Sequence, residues 1–203
     1  MSRQRPLVHR TVAMLVLTAA LLSASCSHSQ GPGADAPPVN PEASRSWSDR
    51  SATMLSGGSF QEALEAADNA LRFDPSNTMA WNNKSVALTG LGQHQEALKA
   101  AEKAIEADPR NAVAWSNKSV ALRSLGRTDA ALAAVEHAVK LEPKNALLWY
   151  NQACYLALAG KRDAALGSLA TAVELAPALK SAAPKEQELK SLWDDARFRK
   201  IIE

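Results

Sequence analysis

The sequence has little of what most folded chains use to build a reactive site. It holds two Cys, two Tyr, three Phe and four His among 203 residues. The two Cys, Cys26 and Cys154, are too far apart for the paired spacing of a zinc site or a redox motif. His9, His28, His94 and His137 each lack a partner at i+3 or i+4 suited to a metal. There is no Gly-rich phosphate loop and no nucleophile elbow. No basic neighbour along the chain would make Cys154 a thiolate, so it reads as a small buried hydrophobe. Asp194 and Asp195 read as capping charge rather than as a general acid and base. Together these exclude catalysis, a metal and a cofactor from the expectation. Runs of Val, Ile, Thr and aromatic residues are almost absent too, which leaves β-strands little to build from.

An excess of charge is also missing. The formal net charge is +2, but Arg3, Arg5 and Arg10 supply three positive charges in a segment, 1–25, without Asp or Glu. Beyond it 20 Lys and Arg face 21 Asp and Glu, a net of −1. No basic stripe remains for nucleic acid.

What is present is helical and periodic. Ala supplies 40 residues and Leu 25, both at the top of the helix-propensity scale. Trp47, Trp81, Trp115 and Trp149 stand 34 residues apart. Pro75, Pro109, Pro143 and Pro177 keep the same spacing, as do Gly58, Gly92, Gly126 and Gly160. Three residue types with one period define a repeat protein that grows along one axis. The units run 44–77, 78–111, 112–145 and 146–179. In each, Trp opens a first helix, Gly ends it in a left-handed conformation, and Pro closes a second helix. Asn77, Asn111 and Asn145 stand where the next first helix needs its N-cap. The second helices carry one apolar stripe, Ala97, Leu98, Ala101, Ala104 and Ile105 in the second unit.

This pattern resembles the tetratricopeptide repeat (TPR) family over about 136 of the 203 residues, counted as four units of 34. The resemblance implies an all-α solenoid of helix-turn-helix units whose first helices line a concave groove. Where the family has Leu at position 7, this chain has Arg50, Lys84, Lys118 and Gln152. Where it has Gly at position 8, the chain keeps small residues: Ser51, Ser85, Ser119 and Ala153. The Trp residues read as core. The remaining 180–203 holds Leu189, Leu192, Trp193, Phe198, Ile201 and Ile202 among charges. It reads as the cap of the open last unit, with Asp194 or Asp195 starting a final short helix. A detachable interaction motif is the alternative.

The first 25 residues have the layout of an export signal: a basic start, an apolar run from Thr11 to Leu22, then small residues. Twelve apolar residues are short of a membrane span of about 20. Leu22-Ser23-Ala24-Ser25-Cys26 resembles the lipobox of bacterial lipoproteins, with Ser23 departing from its usual Leu. The resemblance implies a lipid on Cys26, hence membrane attachment, and Ser27 after it leans towards an outer membrane. Ordinary cleavage without lipid and an uncleaved anchor are the alternatives. Residues 26–43, rich in Pro, Gly, Ser and Ala, read as a disordered tether.

The groove is where function is expected. At 100° per residue, positions 2, 6, 9 and 13 of each unit lie opposite the Trp. Position 6 reads Asp49, Asn83, Asn117 and Asn151. Positions 2 and 9 supply Met79, Val86, Val113, Val120, Leu147 and Cys154. Beside them, position 5 supplies Asn82, Ser116 and Tyr150. An amide row can pair with a peptide backbone, with apolar neighbours selecting side chains. The competing account has these Asn bonding between adjacent first helices or facing water. A carboxylate-gripping arrangement of Lys and Arg is absent. The expectation is a protein partner held as a peptide or helix, in an adaptor or scaffold of the cell envelope. The alternatives are a binder of cell-wall glycan or a small molecule, using Tyr150, and a structural spacer.

Overall fold

Each first helix begins where a side-chain oxygen takes up its free amides. The Oδ1 of Asn77, Asn111 and Asn145 accepts from Ala80 N, Ala114 N and Leu147 N at 3.0, 2.9 and 3.2 Å. The computed structural model describes residues 39–203, and among them there is no strand. First helices α3 (Thr78–Gly90), α5 (Ala112–Ser124) and α7 (Ala146–Leu158) follow these caps. Their partners are α4 (His94–Ala107), α6 (Thr128–Leu141) and α8 (Arg162–Leu175). The first pair is α1 (Pro41–Ser56) and α2 (Phe60–Phe73). His94 is the first residue of α4.

α1 starts three residues before the period. Ala43 stands where later units have the capping Asn and has no side-chain acceptor. Asn40 caps instead, accepting from Ala43 N at 3.0 Å, and Pro41 occupies the first turn. Pro41, Glu42 and Ala43 are therefore helical, and the tether drawn as 26–43 is shorter at this end. Residues 1–38, with the signal segment, Cys26 and most of that tether, lie outside the described residues.

The turn within each pair is the same motif four times. Gly58, Gly92, Gly126 and Gly160 have φ of 74, 75, 73 and 72°. The amide after each Gly reaches back to close the preceding helix, Gln93 N to Leu88 O at 2.8 Å for example. Where the two helices of a pair cross, Ala63, Ala97, Ala131 and Ala165 are fully buried. The Ser at position 8 faces them: Ser51 and Ser85 donate to the carbonyls of Ala63 and Ala97, both at 2.8 Å. A buried hydroxyl is tolerated because it is bonded.

The Trp residues sit at the edge of the core rather than within it. Trp81, Trp115 and Trp149 are half-buried, and each pins the loop before it, Nε1 donating to Pro75, Pro109 or Pro143 O at 2.8–2.9 Å. The outer faces of Trp81 and Trp115 meet the basic residues at position 7. Lys84 and Lys118 lie 5.5 and 5.6 Å from the indole centroids. The same Lys pair with Asp68 and Glu102 of the preceding second helix at 2.6 and 3.0 Å. These contacts account for Lys in place of Leu at position 7 of the second and third units.

After α8 the chain makes three short 3-10 turns, Pro177–Ser181, Ala183–Lys185 and Gln187–Leu192, then α9 (Ala196–Ile202). Asp195 caps α9, its Oδ1 accepting from Arg197 N at 2.9 Å. Leu189, Leu192 and Phe198 bury almost completely against the last pair. The described units stack as an all-α solenoid, closed at this end by a cap that is mostly 3-10 turns.

Candidate functional site

The first helices present an apolar row to solvent: Met79, Val113 and Leu147 at position 2, and Val86 at position 9, are all exposed. Between units one and three this face holds an open recess of about 360 Å³, lined by Phe60, Val86, Thr89, Gly90, Asn117 and Val120. Its wall depends on one close approach. Phe60 opens α2, and its ring lies across Gly90, where an added Cβ would come within 2.5 Å of Phe60 Cδ1. Phe60, Thr89 and Gly90 were not among the expected site residues. Both Phe60 and Gly90 break the repeat: position 17 is otherwise His94, Thr128 and Arg162, and position 13 is otherwise Ser56, Ser124 and Leu158. An aromatic and a Gly departing from the period in neighbouring units is the signal that would have found them.

The amide row has another occupation. Asn83 Nδ2 donates to Ser48 O at 2.9 Å, and Asn117 Nδ2 contacts Asn82 O and Oδ1 at 3.4 Å. The donors of these two Asn are spent between adjacent first helices, which was the competing account. Asn117 still lines the recess. Asp49 lies at the N-terminal end, lining with Pro41, Glu42, Arg45 and Ser46 an open recess of about 530 Å³. Asn151 on α7 is half-buried.

Position 5 does not face the groove. Asn82 is buried and Ser116 half-buried. Asn82 Nδ2 is 3.3 Å from Asn111 Oδ1, across the joint between units. Tyr150 is only 8% exposed. One residue along a helix is a 100° turn, so position 5 points to the next unit when position 6 points to the groove. Tyr150 therefore offers no stacking platform, which removes the feature that would have favoured a glycan.

Tyr150 and Cys154 are covered by the C-terminal segment. Burial raises both pKa values, and the carboxylates of Glu186 and Glu188 add to the effect. Tyr155 is raised by burial as well, opposed by a hydrogen bond with Ser119. Glu186 and Glu188 shift in opposite directions. The hydrogen bond between the two carboxyls, then burial, pushes Glu186 up to about 7, and the same bond lowers Glu188. Glu188 Oε1 accepts from Arg123 Nη1 at 2.8 Å. A second polar knot ties α9 to α8. Asp195, held well below the usual carboxylate range by Arg197 and Arg162, bonds Arg197 Nη2 at 2.9 Å and Arg162 Nε at 3.1 Å.

Among the described residues, no group of three His, Cys, Asp or Glu is placed to hold a metal ion. None of their helices is long and apolar enough to cross a membrane.

Two models described as tetratricopeptide repeat match the sequence, over residues 55–112 and 88–153. No curated protein matches it significantly. Among solved structures, a thermophilic TPR protein of Thermus thermophilus superposes with a TM-score of 0.67 at 22% identity, covering 78% of this chain and 86% of that one. YrrB, described as a TPR protein with an unusual peptide-binding site, gives 0.59 at 22% identity over 80% and 82%. The first TPR of Spaghetti (RPAP3), bound to the HSP90 peptide SRMEEVD, gives 0.55 at 19% over 58% and 93%. At these identities the likeness concerns the fold. The 34-residue period, the repeated capped helix pairs and these two matches together make residues 55–153 of the chain tetratricopeptide repeats.

Proposed function

We propose that this protein is a protein–protein interaction module and not an enzyme. It holds a segment of a partner in the open groove of its first three units. The observation that supports this most is the recess under Phe60, which is open and almost purely apolar, beside exposed Met79, Val113 and Val86. Its size and lining suit one or two apolar side chains of a peptide or helix, with hydrogen bonding confined to Thr89 and to the acceptor oxygen of Asn117. A peptide-binding site is named for one structurally similar protein and a bound peptide for another, which supports a peptide as the occupant. Cross-linking through a photoreactive residue at Val120, followed by mass spectrometry, tests it. The expected product is a partner peptide cross-linked at Val120 and lost in Gly90→Ala. Equal cross-linking in Gly90→Ala would sink the reading.

The setting is also a proposal. A basic start, a short apolar run and Cys26 support export and lipid anchoring, and the Pro- and Gly-rich stretch after Cys26 supports a tether between anchor and repeats. The role that follows is an adaptor or scaffold in the cell envelope. Labelled palmitate should enter the wild-type chain and not Cys26→Ala. Equal labelling of both removes the anchor.

A further inference from the structure

The C-terminal segment covers more than a following repeat would. Val86, at position 9 of its unit, stays 38% exposed although two further units follow. Cys154, at the same position of the last unit, is 5% exposed. The difference is the chain 186–192. Its Leu189 and Leu192 bury fully in one core cluster with Tyr150 and Cys154, and its carboxylates are near enough to both to raise their pKa values. Glu188 then passes beyond its own unit to pair with Arg123 on the first helix of the third. Arg123 lies at position 12, next along the same helix face from Val120, which lines the open recess. The segment thus lies along the groove side as a bound peptide would, starting where the open part ends.

Its fit is incomplete. The Tyr150 hydroxyl is buried beneath it with no hydrogen-bond partner, an arrangement that carries a desolvation penalty. Glu188 holds Arg123 while a second carboxyl, Glu186, is crowded against it, and the backbone is held only in 3-10 turns, the less stable helical form.

We propose that residues 186–192 are an intramolecular occupant of the groove beside the last unit, displaced by a partner peptide of the same chemistry. That peptide carries an acidic residue followed by Leu at the next and fourth positions, as in Glu188-Leu189-Lys190-Ser191-Leu192, and an acceptor for the Tyr150 hydroxyl. This rests on the groove being a peptide site, and it adds a second subsite with an internal competitor.

The test uses the full chain and a labelled peptide of the sequence EQELKSLW, read by fluorescence anisotropy. Glu188→Gln weakens the internal occupant without altering the groove, so affinity for the peptide should rise on the order of tenfold, the scale of one charge-assisted hydrogen bond. Arg123→Ala should erase the preference for this peptide over its Gln counterpart, EQQLKSLW. Both protein side chains are partly exposed, so the fold tolerates the changes. Unchanged or absent binding in Glu188→Gln overturns the proposal. So does a concentration-dependent dimer of Glu188→Gln that takes up no peptide, because the occupant is then a second copy's segment. Binding abolished by Gly90→Ala and indifferent to Arg123→Ala places the peptide in the open recess: the proposal then fails while the reading of the groove stands.

Discussion

The two ends of the solenoid share one repeat and are held by opposite means. At the N-terminal end α1 buries Ser44, Ser48 and Ser51. Its joint to the next unit is a polar seam, with Asn77 Nδ2 donating to Ser44 Oγ and Ser48 Oγ at 2.7 and 3.0 Å. At the C-terminal end the last unit buries Leu148, Leu156 and Leu169, and Leu189, Leu192 and Phe198 are laid over it. Hydrogen bonds are directional and of modest net strength, about 1 kcal/mol each, whereas a fully buried Leu or Phe contributes about 1.5–3 kcal/mol. The N-terminal end asks less of a cap, because α1 turns Ser rather than Leu into its joint and carries exposed Arg45 and Asp49 where inner units carry apolar residues and Asn. The C-terminal end needs one because its last surface is greasy. An array with unlike ends frays from the weaker one.

That difference breaks most severely at the cap. Phe198 is 2% exposed, and Phe198→Ala should remove about 3–5 kcal/mol, read from urea melts. It should also convert the C-terminal end into the first to open in hydrogen exchange. Trp115→Ala comes next, at about 3 kcal/mol, the low end of the range because one edge of the indole is already in water. Its effect should be greatest at the joint between units two and three, where it loses the bond to Pro109. Asn77→Ala should cost about 2 kcal/mol by removing the α3 cap and leaving two buried Ser hydroxyls short of a donor. Amides of α1 should then exchange faster while those of α7 do not change. If α7 loosens equally, the ends are one cooperative unit and the contrast is wrong.

Gly90→Ala acts between the ends. Its methyl displaces Phe60, so overpacking should remove about 1–2 kcal/mol from stability while binding in the recess falls by at least a factor on the order of ten. The smallest effect is that of pH on the C-terminal segment. Glu186 titrates higher in the folded chain than an ordinary carboxyl, at about 7. Its contribution is complete below the ordinary carboxylate range and is lost as pH rises through about 7. Glu188, shifted downward, has the opposite sign, its contribution being lost in acid. Closure of 186–192 should be tightest between these limits. Exchange protection there should drop between pH 6 and pH 8, and Glu186→Gln should abolish the drop.

Much of the architecture was legible because it repeats. Trp, Gly and Pro at one spacing located every helix pair, and the capping Asn fell where an N-cap was needed. The start of α1 was misplaced because Ala43 fills the Asn position, and Asn40 lies outside the period. The site was less legible for the same reason in reverse. Periodicity pointed to the conspicuous Asn row, in which the amides of Asn83 and Asn117 join neighbouring first helices. The recess came from Phe60 and Gly90, the residues that leave the pattern. Arg123 and Glu188, 65 positions apart, carried no mark at all.

By itself the sequence determined the repeat, its length, its helix boundaries to within a few residues and the faces of each first helix. Those depend on local terms: propensity, capping, a positive φ that favours Gly, and a 100° step between side chains. Only the tertiary structure decided which groove positions stay open and which the chain covers for itself. That outcome rests on contacts between distant segments, Phe60 over Gly90 and Glu188 on Arg123, and such contacts follow from packing in space, which local pattern does not encode.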